Sequence, residues 1–168
     1  AKSWSLLLDD HTDLDVDNQK ATYFIKKYIK HCSAEYGRKS NPNSHFLFKG
    51  KLEQIKFDLP EDLKKYCKGY PHGNHLGQIR SGHGLQSIVP GGLNANELVE
   101  WATKDVDIKE YKGNLPQDFA KVMLSTALTI IYPPEGKRDD YCFAIACILA
   151  DNTKWSDAEI DEFVFEIA

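Results

Sequence analysis

Three aspartates, Asp13, Asp15 and Asp17, alternate with apolar residues near the start of the chain. In a β-strand, side chains two positions apart lie on the same side, so the alternation predicts a strand with a row of carboxylates on one side and apolar residues in the core. Carboxylates this close together repel one another. A hard divalent cation, Mg²⁺ or Mn²⁺, is the ion that such oxygen ligands bind. The alternative interpretation is a solvated acidic edge or turn.

The composition is that of a globular chain with one domain, or one domain and a small addition. The chain has 168 residues, of which 42% are hydrophobic and 27% charged, and no apolar run approaches the ~20 residues of a membrane-spanning helix. Its four cysteines form no CxxC pair, which favours buried thiols in a reducing compartment. We therefore expect a cytoplasmic protein with no membrane partner.

The formal net charge is -4 at pH 7, but the charges are unevenly distributed. From Gly37 to Arg80 there are nine lysines and arginines against four acidic residues, whereas from Thr103 onward there are seven against thirteen. A basic middle segment beside an acidic end is consistent with a polyanionic partner.

The first part of the chain predicts the strands of a mixed or antiparallel sheet. A buried strand at 3–8 leads through a turn into the aspartate strand, and Asn18 is suited to cap a helix that ends near His31. Residues 76–90 predict a hairpin that turns at 81–84. The remaining predictions in this part are a strand at 52–59, a short basic helix at 60–69 and a strand at 97–101.

A polar segment at 35–44 predicts a loop that leads to a strand beginning at His45. Arg38 and Lys39 lie in this loop, and two cations with free backbone N–H groups are suited to bind phosphate. A solvated loop tip is the alternative for both cations. For His45 the alternative is an ordinary strand histidine whose hydrogen bonds are satisfied.

Four residues of metal-ligand type lie in and around the predicted loop at 70–75: Cys67, His72, His75 and His83. Their spacing matches no closed four-ligand zinc pattern, because a tight pair of cysteines is missing. Zinc is therefore the less expected metal.

Beyond a charged segment at 103–115 the apolar periodicity becomes helical. Apolar stripes predict three helices, of which the second begins near Arg138 and the third at a capping box, Ser156–Glu159. The residues of the second helix that are predicted to face inward are Tyr141, Ala144, Ile145, Ile148 and Leu149. The chain is thus divided into an α+β domain (1–102), a linker (103–115) and a small helical domain (116–168).

Three polar segments follow one another in order: DLDVDN at 13–18, GRKSNPNSH at 37–45 and GQIRSGHGLQSIVPGG at 77–92. This order resembles the primase-polymerase branch of the archaeo-eukaryotic primase superfamily, which is found in plasmid, phage and virus replication proteins. In that family an acidic D-x-D strand is followed by a G-R-x-S-x-P-x-S-H stretch and by an E-x-R-x-G-x-G-x-Q-x-x-x-P hairpin. The helical end resembles the primase C-terminal region that follows this catalytic domain.

The resemblance implies roles for individual residues. Asp15 and Asp17 match the metal-binding pair, and His45 matches the histidine that contacts the incoming nucleotide; these three are the implied catalytic residues. The implied metal ligands are Asp13, Asp15, Asp17 and Gln78. The resemblance and the residue types together give the candidate nucleotide-binding residues Arg38, Lys39, Ser44, His45, Arg80 and His83. Lys39 is the looser candidate, and for His83 the alternative is an ordinary surface turn.

Two segments depart from the family pattern. Gln78 stands where the family usually has a third carboxylate, and an amide carries no charge to hold a second ion. The family's P-P-S-x-H after the hairpin reads PGGLN here, at 90–94. Asp13 is the residue that is able to supply the missing charge.

The resemblance implies an enzyme of template-directed nucleotidyl transfer, which makes primers or extends DNA from nucleoside triphosphates by a two-metal mechanism with Mg²⁺ or Mn²⁺. It also implies a sheet with an RRM-like core and single-stranded or primed DNA as a partner, with a helicase domain or subunit as a further candidate. One alternative is a degenerate, non-catalytic module that binds nucleotide or DNA. Another is a metal-dependent nuclease, because carboxylate rows also serve hydrolysis.

Overall fold

The computed structural model describes residues 4–30, 32, 34–68 and 72–168, and its fold class is α+β, as predicted. The strands are β1 (Ser5–Leu7), β2 (His11–Val16), β3 (Glu35–Arg38), β4 (Asn41–Lys49), β5 (Ile55–Asp58), β6 (His75–Ser81), β7 (Gln86–Ile88), β8 (Leu93–Asn94) and β9 (Glu97–Trp101). The helices are α1 (Gln19–Tyr28), a 3-10 helix (Glu61–Cys67), α2 (Leu115–Ile130), α3 (Arg138–Asn152) and α4 (Asp157–Ile167). In the described ranges no helix is both long and apolar enough to cross a membrane.

Some predicted positions lie outside the described residues. They are the start of the first strand at Ser3, the helix ends at His31 and Gly69, and the loop positions Tyr70 and Pro71.

The aspartate strand β2 is an inner strand of a large antiparallel sheet. Seven strands form this sheet in the order β5-β6-β2-β4-β3-β9-β8, and β2 pairs antiparallel with β4 and β6. β1 and β7 form a separate two-stranded antiparallel sheet. Because both edges of β2 are paired, its side chains are held in a fixed register against two neighbours.

The alternation in β2 places apolar residues on one face of the strand and carboxylates on the other, as predicted. Leu14 and Val16 are buried and belong to the same apolar cluster as Phe24 and Ile25 of α1. Helix α1 begins at its predicted cap, because the side chain of Asn18 accepts a hydrogen bond from the Lys20 N–H at 3.0 Å. The carboxylates of β2 therefore face away from α1.

The predicted hairpin at 76–90 is wrong. β6 pairs with β2 and β5, whereas β7 pairs with β1. The Gly82 N–H donates to the Leu8 carbonyl at 3.1 Å, and the Leu8 N–H donates to the Leu85 carbonyl at 2.9 Å. These bonds tie the turn to the end of β1, so the chain passes from the large sheet to the small one.

The prediction that the first strand is buried is also wrong in part. Trp4 and Leu7 are 63% and 53% exposed, whereas Leu8, just after β1, is fully buried. β1 is short and pairs with β7 alone among the described strands, and its residues Ser5 and Leu7 are exposed while Leu6 packs against buried residues.

The polar segment predicted as a loop at 35–44 forms most of a hairpin. β3 and β4 pair across the turn Lys39–Ser40, with a register shift between Tyr36 and Arg38. Gly37 makes the close pairing possible, because a Cβ at this position would lie 2.6 Å from the Asn41 carbonyl oxygen. A segment whose composition is typical of loops therefore forms a tight, irregular hairpin.

The three predicted helices are confirmed, and α4 begins with the predicted capping box of Ser156 and Glu159. The inward face predicted for α3 is wrong in part, since Ile148 is 60% exposed and Ala144 is exposed too. Cys147 on the same side is exposed, contrary to the expectation of buried thiols. α3 is apolar on more than one side, so periodicity alone does not tell which side is covered.

The helices and the sheet share one apolar cluster. It includes Phe46 of the sheet, Phe119 of α2 and Phe163 of α4. The predicted linker lies against the sheet, where the Lys49 N–H donates to the Lys109 carbonyl at 2.9 Å. The division into two domains and a linker stays a prediction.

We expect Phe119→Ala to destabilise the sheet and the helices together. Phe119 is fully buried, and its ring packs edge to face on Phe57 with centroids 5.5 Å apart. Loss of a buried phenylalanine side chain costs about 3–5 kcal/mol of unfolding free energy. Urea unfolding followed by tryptophan fluorescence and by far-UV circular dichroism measures the loss. The control is Leu124→Ala on the exposed side of α2; equal effects of the two variants would contradict the shared core.

Candidate active site

Cross-strand pairing brings residues of the three predicted segments together on one face of the sheet. Asp15 of β2 lies directly opposite His45 of β4 on one side and Gln78 of β6 on the other. Asp13 lies opposite Arg80 of β6. Residues directly opposed in an antiparallel pair have their side chains on the same face. These five side chains therefore share the face turned away from α1.

Asp13 is fully buried in this group. Its Oδ2 accepts a hydrogen bond from the Ser87 hydroxyl of β7 and lies 3.0 Å from His45 Nδ1 and 4.0 Å from an Arg80 Nη atom. Burial by itself raises the pKa of Asp13, but the charge of His45 and the hydrogen bonds from His45 and Ser87 outweigh burial and lower that pKa. This position favours a role as the counter-ion of His45 over the implied role as a metal ligand.

His45 lies between two carboxylates. Its Nδ1 faces Asp13, its Nε2 lies 3.7 Å from Asp15 Oδ1, and the Tyr36 ring stacks on it with centroids 4.9 Å apart. Burial by itself lowers the pKa of His45, but the charges of Asp13 and Asp15 and the Asp13 hydrogen bond outweigh it and raise the pKa to about 9. His45 is therefore an imidazolium at neutral pH, with both ring nitrogens as donors.

Asp15 is largely buried, with two carboxylates and two cations as its charged neighbours. Its Oδ2 accepts a hydrogen bond from the Gln78 amide at 3.2 Å and lies 3.6 Å from an Arg80 Nη atom. Burial raises the pKa of Asp15, and the Asp13 and Asp17 carboxylates raise it further, against the lowering charge of His45. A bound cation would relieve this repulsion.

Asp17 meets two histidines that sequence spacing does not associate with it. His72 Nε2 lies 3.4 Å from Asp17 Oδ1, and His75 Nε2 lies 3.2 Å from Asp17 Oδ2. His75 Nδ1 lies 2.5 Å from Asp58 Oδ1. The signal available in the sequence was antiparallel pairing: β6 begins at His75, and the start of a strand antiparallel to β2 lies beside the end of β2.

The predicted phosphate ligands Arg38 and Lys39 lie at the turn of the β3–β4 hairpin. Arg38 Nε donates to Ser40 Oγ at 3.0 Å, and the Ser40 N–H donates to Glu97 Oε2 at 2.7 Å. The turn is therefore held to β9, and the role of both cations in phosphate binding stays a prediction.

Ser44 and His83 make their contacts away from the carboxylates. Ser44 is buried, and its hydroxyl donates to the Asn41 carbonyl at 3.1 Å. Because Ser44 alternates with His45 along β4, its side chain lies on the other face of the sheet. The side chain of His83 is 94% exposed, and its Nδ1 lies 3.3 Å from Asp9 Oδ1. Of the predicted nucleotide-binding residues, Arg80 and His45 are the two that contact the carboxylates.

Asp15 and Asp17 fit a divalent cation by the chemistry of their donors. Both offer carboxylate oxygens, and their side chains are 16% and 13% exposed. Within the part of the chain that the structure describes, no three histidine, cysteine, aspartate or glutamate side chains form a metal-binding group as they stand. The carboxylates contact Arg80, Gln78 and the imidazoles instead, so a cation bound at this face must displace some of these contacts.

The buried pair of His45 and Asp13 predicts a pH-dependent stability. Because the pKa of His45 is raised to about 9, the charged imidazole contributes to the unfolding free energy. This contribution is complete below pH 6.5, the ordinary pKa of histidine, and is lost as the pH rises through 9. The lowered pKa of Asp13 gives a second contribution to the unfolding free energy, which is present above pH 3.8 and is lost at lower pH. We expect the unfolding free energy to fall by roughly 2–3 kcal/mol between pH 6.5 and 9. Urea titrations with EDTA measure this fall; an equal fall in His45→Gln would contradict the assignment.

Comparisons with family models, with curated proteins and with solved structures found no match. The function proposed below therefore rests on the contacts of the carboxylate face and on the resemblance of the three sequence segments.

Proposed function

We propose that the chain catalyses template-directed nucleotidyl transfer, the synthesis of primers or of DNA from nucleoside triphosphates during replication, with Mg²⁺ or Mn²⁺. The observation that carries the proposal is the meeting of Asp15, His45 and Arg80, which come from three separate sequence segments, around one carboxylate row. Nucleotidyl transfer asks a protein mainly for positioning and for neutralisation of charge, and this face supplies carboxylates and cations side by side.

In this proposal Asp15 and Asp17 hold the divalent ion. The ion supplies charge neutralisation at the triphosphate and activation of the attacking 3′-hydroxyl. Asp13 does not contact the substrate. Its buried carboxylate keeps His45 charged and orients the imidazole ring.

His45 and Arg80 are the cations that would bind the triphosphate. Both lie beside Asp15, at 3.7 Å and 3.6 Å from its oxygens, and their side chains are 15% and 23% exposed. A second contact fixes the orientation of Arg80, because another of its Nη atoms donates to the Gln86 carbonyl. When a phosphate group binds here, His45 and Arg80 exchange their contacts with Asp15 for contacts with the phosphate oxygens.

The second candidate is a non-catalytic module that binds nucleotide or DNA. The contacts of Asp15 favour it, because Arg80 and the Gln78 amide already compensate this carboxylate without a metal ion. Both candidates share the same anion-binding residues, and they differ in whether the site turns nucleotides over.

The test is incubation of the protein with primed and unprimed single-stranded DNA, labelled nucleotides, and Mg²⁺ or Mn²⁺. Primer extension or synthesis of new primers supports the proposal. Retention of nucleotide or DNA without incorporation overturns it in favour of the binding module. Shortening of the DNA overturns it in favour of a nuclease.

We expect Gln78→Glu to raise the affinity for Mg²⁺ by about tenfold, since each added carboxylate strengthens binding of a hard ion. The Gln78 side chain contacts Asp15, so the new carboxylate joins the row. Isothermal titration calorimetry measures the affinity. The matched control is Gln86→Glu, an exposed position of β7 whose side chain contacts Ser5. An unchanged affinity in Gln78→Glu would mean that position 78 does not face the ion.

A further inference from the structure

The surroundings of Asp17 differ from those of the other two carboxylates, because its neighbours are imidazoles. His75 Nε2 lies 3.2 Å from one carboxylate oxygen and His72 Nε2 lies 3.4 Å from the other. Two ligands that each lie about 2.1 Å from one ion are themselves roughly 3.0–3.4 Å apart. The separations at Asp17 are therefore those of groups able to bind one ion together.

His75 faces carboxylates with both of its ring nitrogens. Nδ1 lies 2.5 Å from Asp58 Oδ1, and Nε2 faces Asp17. As a metal ligand, His75 would keep its single N–H on Nδ1, where Asp58 accepts it, and would offer the lone pair of Nε2 to an ion beside Asp17.

The contact between Asp58 and His75 is the kind that orients a metal-binding histidine. Such histidines commonly donate their second ring N–H to a carboxylate, which fixes the tautomer and makes the free nitrogen a better ligand. His72 Nε2 is a second nitrogen donor beside the same carboxylate, and the His72 side chain is more exposed than that of His75.

The charge at the site favours an ion that accepts nitrogen ligands. Gln78 is neutral, and Arg80 lies 3.6 Å from Asp15, so the site holds less negative charge than a three-carboxylate site. Mg²⁺ prefers oxygen ligands and gives up its water reluctantly. Imidazole ligands favour divalent transition ions, whose affinities rise from Mn²⁺ toward Co²⁺ and beyond.

We propose that His75, oriented by Asp58, is a nitrogen ligand of the ion held at Asp15 and Asp17, and that the site binds Mn²⁺ and other divalent transition ions in preference to Mg²⁺. The inference rests on the proposed function for the location of the ion. It assigns to His75 the place that a third carboxylate would otherwise take.

The test is equilibrium binding of Mn²⁺, followed by the electron paramagnetic resonance of the free ion, with Mg²⁺ as competitor. We expect the unaltered protein to bind Mn²⁺ at least tenfold more tightly than Mg²⁺. His75→Gln is expected to weaken Mn²⁺ binding by tenfold or more with little change for Mg²⁺, and Asp58→Asn to weaken it by about 10- to 100-fold. Pulsed electron paramagnetic resonance of the Mn²⁺ complex is expected to show coupling of the ion to an imidazole nitrogen, and this coupling is expected to be reduced in His75→Gln.

The matched control is His83→Gln, since His83 also faces an aspartate but does so in an exposed turn. Circular dichroism and thermal unfolding verify that the variants are folded. Equal Mn²⁺ affinity in His75→Gln and the unaltered protein would overturn the inference and leave His75 as a hydrogen-bonding neighbour of Asp17.

The metal-binding readout is independent of turnover. If Mn²⁺ binding depends on His75 but no nucleotide is incorporated, the inference stands and the proposed function fails. If incorporation proceeds with Mg²⁺ as well as with Mn²⁺ and His75→Gln changes neither metal affinity, the proposed function stands and the inference fails.

Discussion

Simultaneous replacement of Asp15 and Asp17 by asparagine is expected to abolish nucleotide incorporation while the fold is retained. Both side chains keep their size, but the carboxylate charges that would hold the divalent ion are removed. A divalent ion held there would contribute several kcal/mol of transition-state stabilisation, so we expect a loss of roughly 10³-fold or more in rate. Primer extension with labelled nucleotides and Mn²⁺ measures the rate, and circular dichroism measures the fold.

The matched control for this double variant is Asp9→Asn, because Asp9 also contacts a histidine, the exposed His83, away from the carboxylate row. Asp9→Asn is expected to keep the full rate. Incorporation by the double variant at the unaltered rate would remove Asp15 and Asp17 from the mechanism.

Asp13→Ala is expected to lower the unfolding free energy by about 3–5 kcal/mol, which is the usual cost of breaking a buried ion pair by removing one partner. Asp13 is fully buried, and its removal leaves the His45 Nδ1–H and the Ser87 hydroxyl without their acceptor. Urea unfolding at pH 7 with EDTA measures the change. An unchanged slope of the unfolding free energy against urea concentration shows that the native and unfolded states keep their compactness.

Asp15→Ala is the comparison for this variant. Its raised pKa, caused first by burial and then by the neighbouring carboxylates, means that the folded state disfavours the charge on Asp15. Its removal is therefore expected to cost far less stability than removal of Asp13. Equal losses of unfolding free energy in the two variants would contradict the assignment of different roles to the two residues, with Asp13 as the structural counter-ion of His45 and Asp15 as a carboxylate of the site.

The elements that the sequence predicted well are those set by local rules. The alternation at Asp13–Asp17 produces a strand with apolar residues on one side, Asn18 caps α1, and Ser156 with Glu159 begins α4. Each of these depends on backbone groups or side chains within a few residues, so neighbouring sequence is sufficient to specify it.

The predictions that failed concern partners distant in the sequence. β6 and β7 read as one hairpin but pair with different sheets, and the segment around Gly37 reads as a loop but pairs closely as a hairpin. On α3 the exposed Ile148 is as apolar as the buried Ile145. Composition describes a segment, whereas pairing and burial depend on what the rest of the chain brings against it.

At the site, the sequence by itself determined the carboxylate row, because the period of two in a strand places Asp13 and Asp15 on one face whatever surrounds them. Only the tertiary structure decided how the carboxylates differ. Antiparallel register set His45 and Gln78 against Asp15, the crossing to the small sheet buried Asp13 under Ser87, and the start of β6 brought His75 to Asp17. The physical reason is that the charge state and ligand character of a carboxylate depend on burial and on neighbours within a few ångströms, and those neighbours come from strands far apart in the sequence.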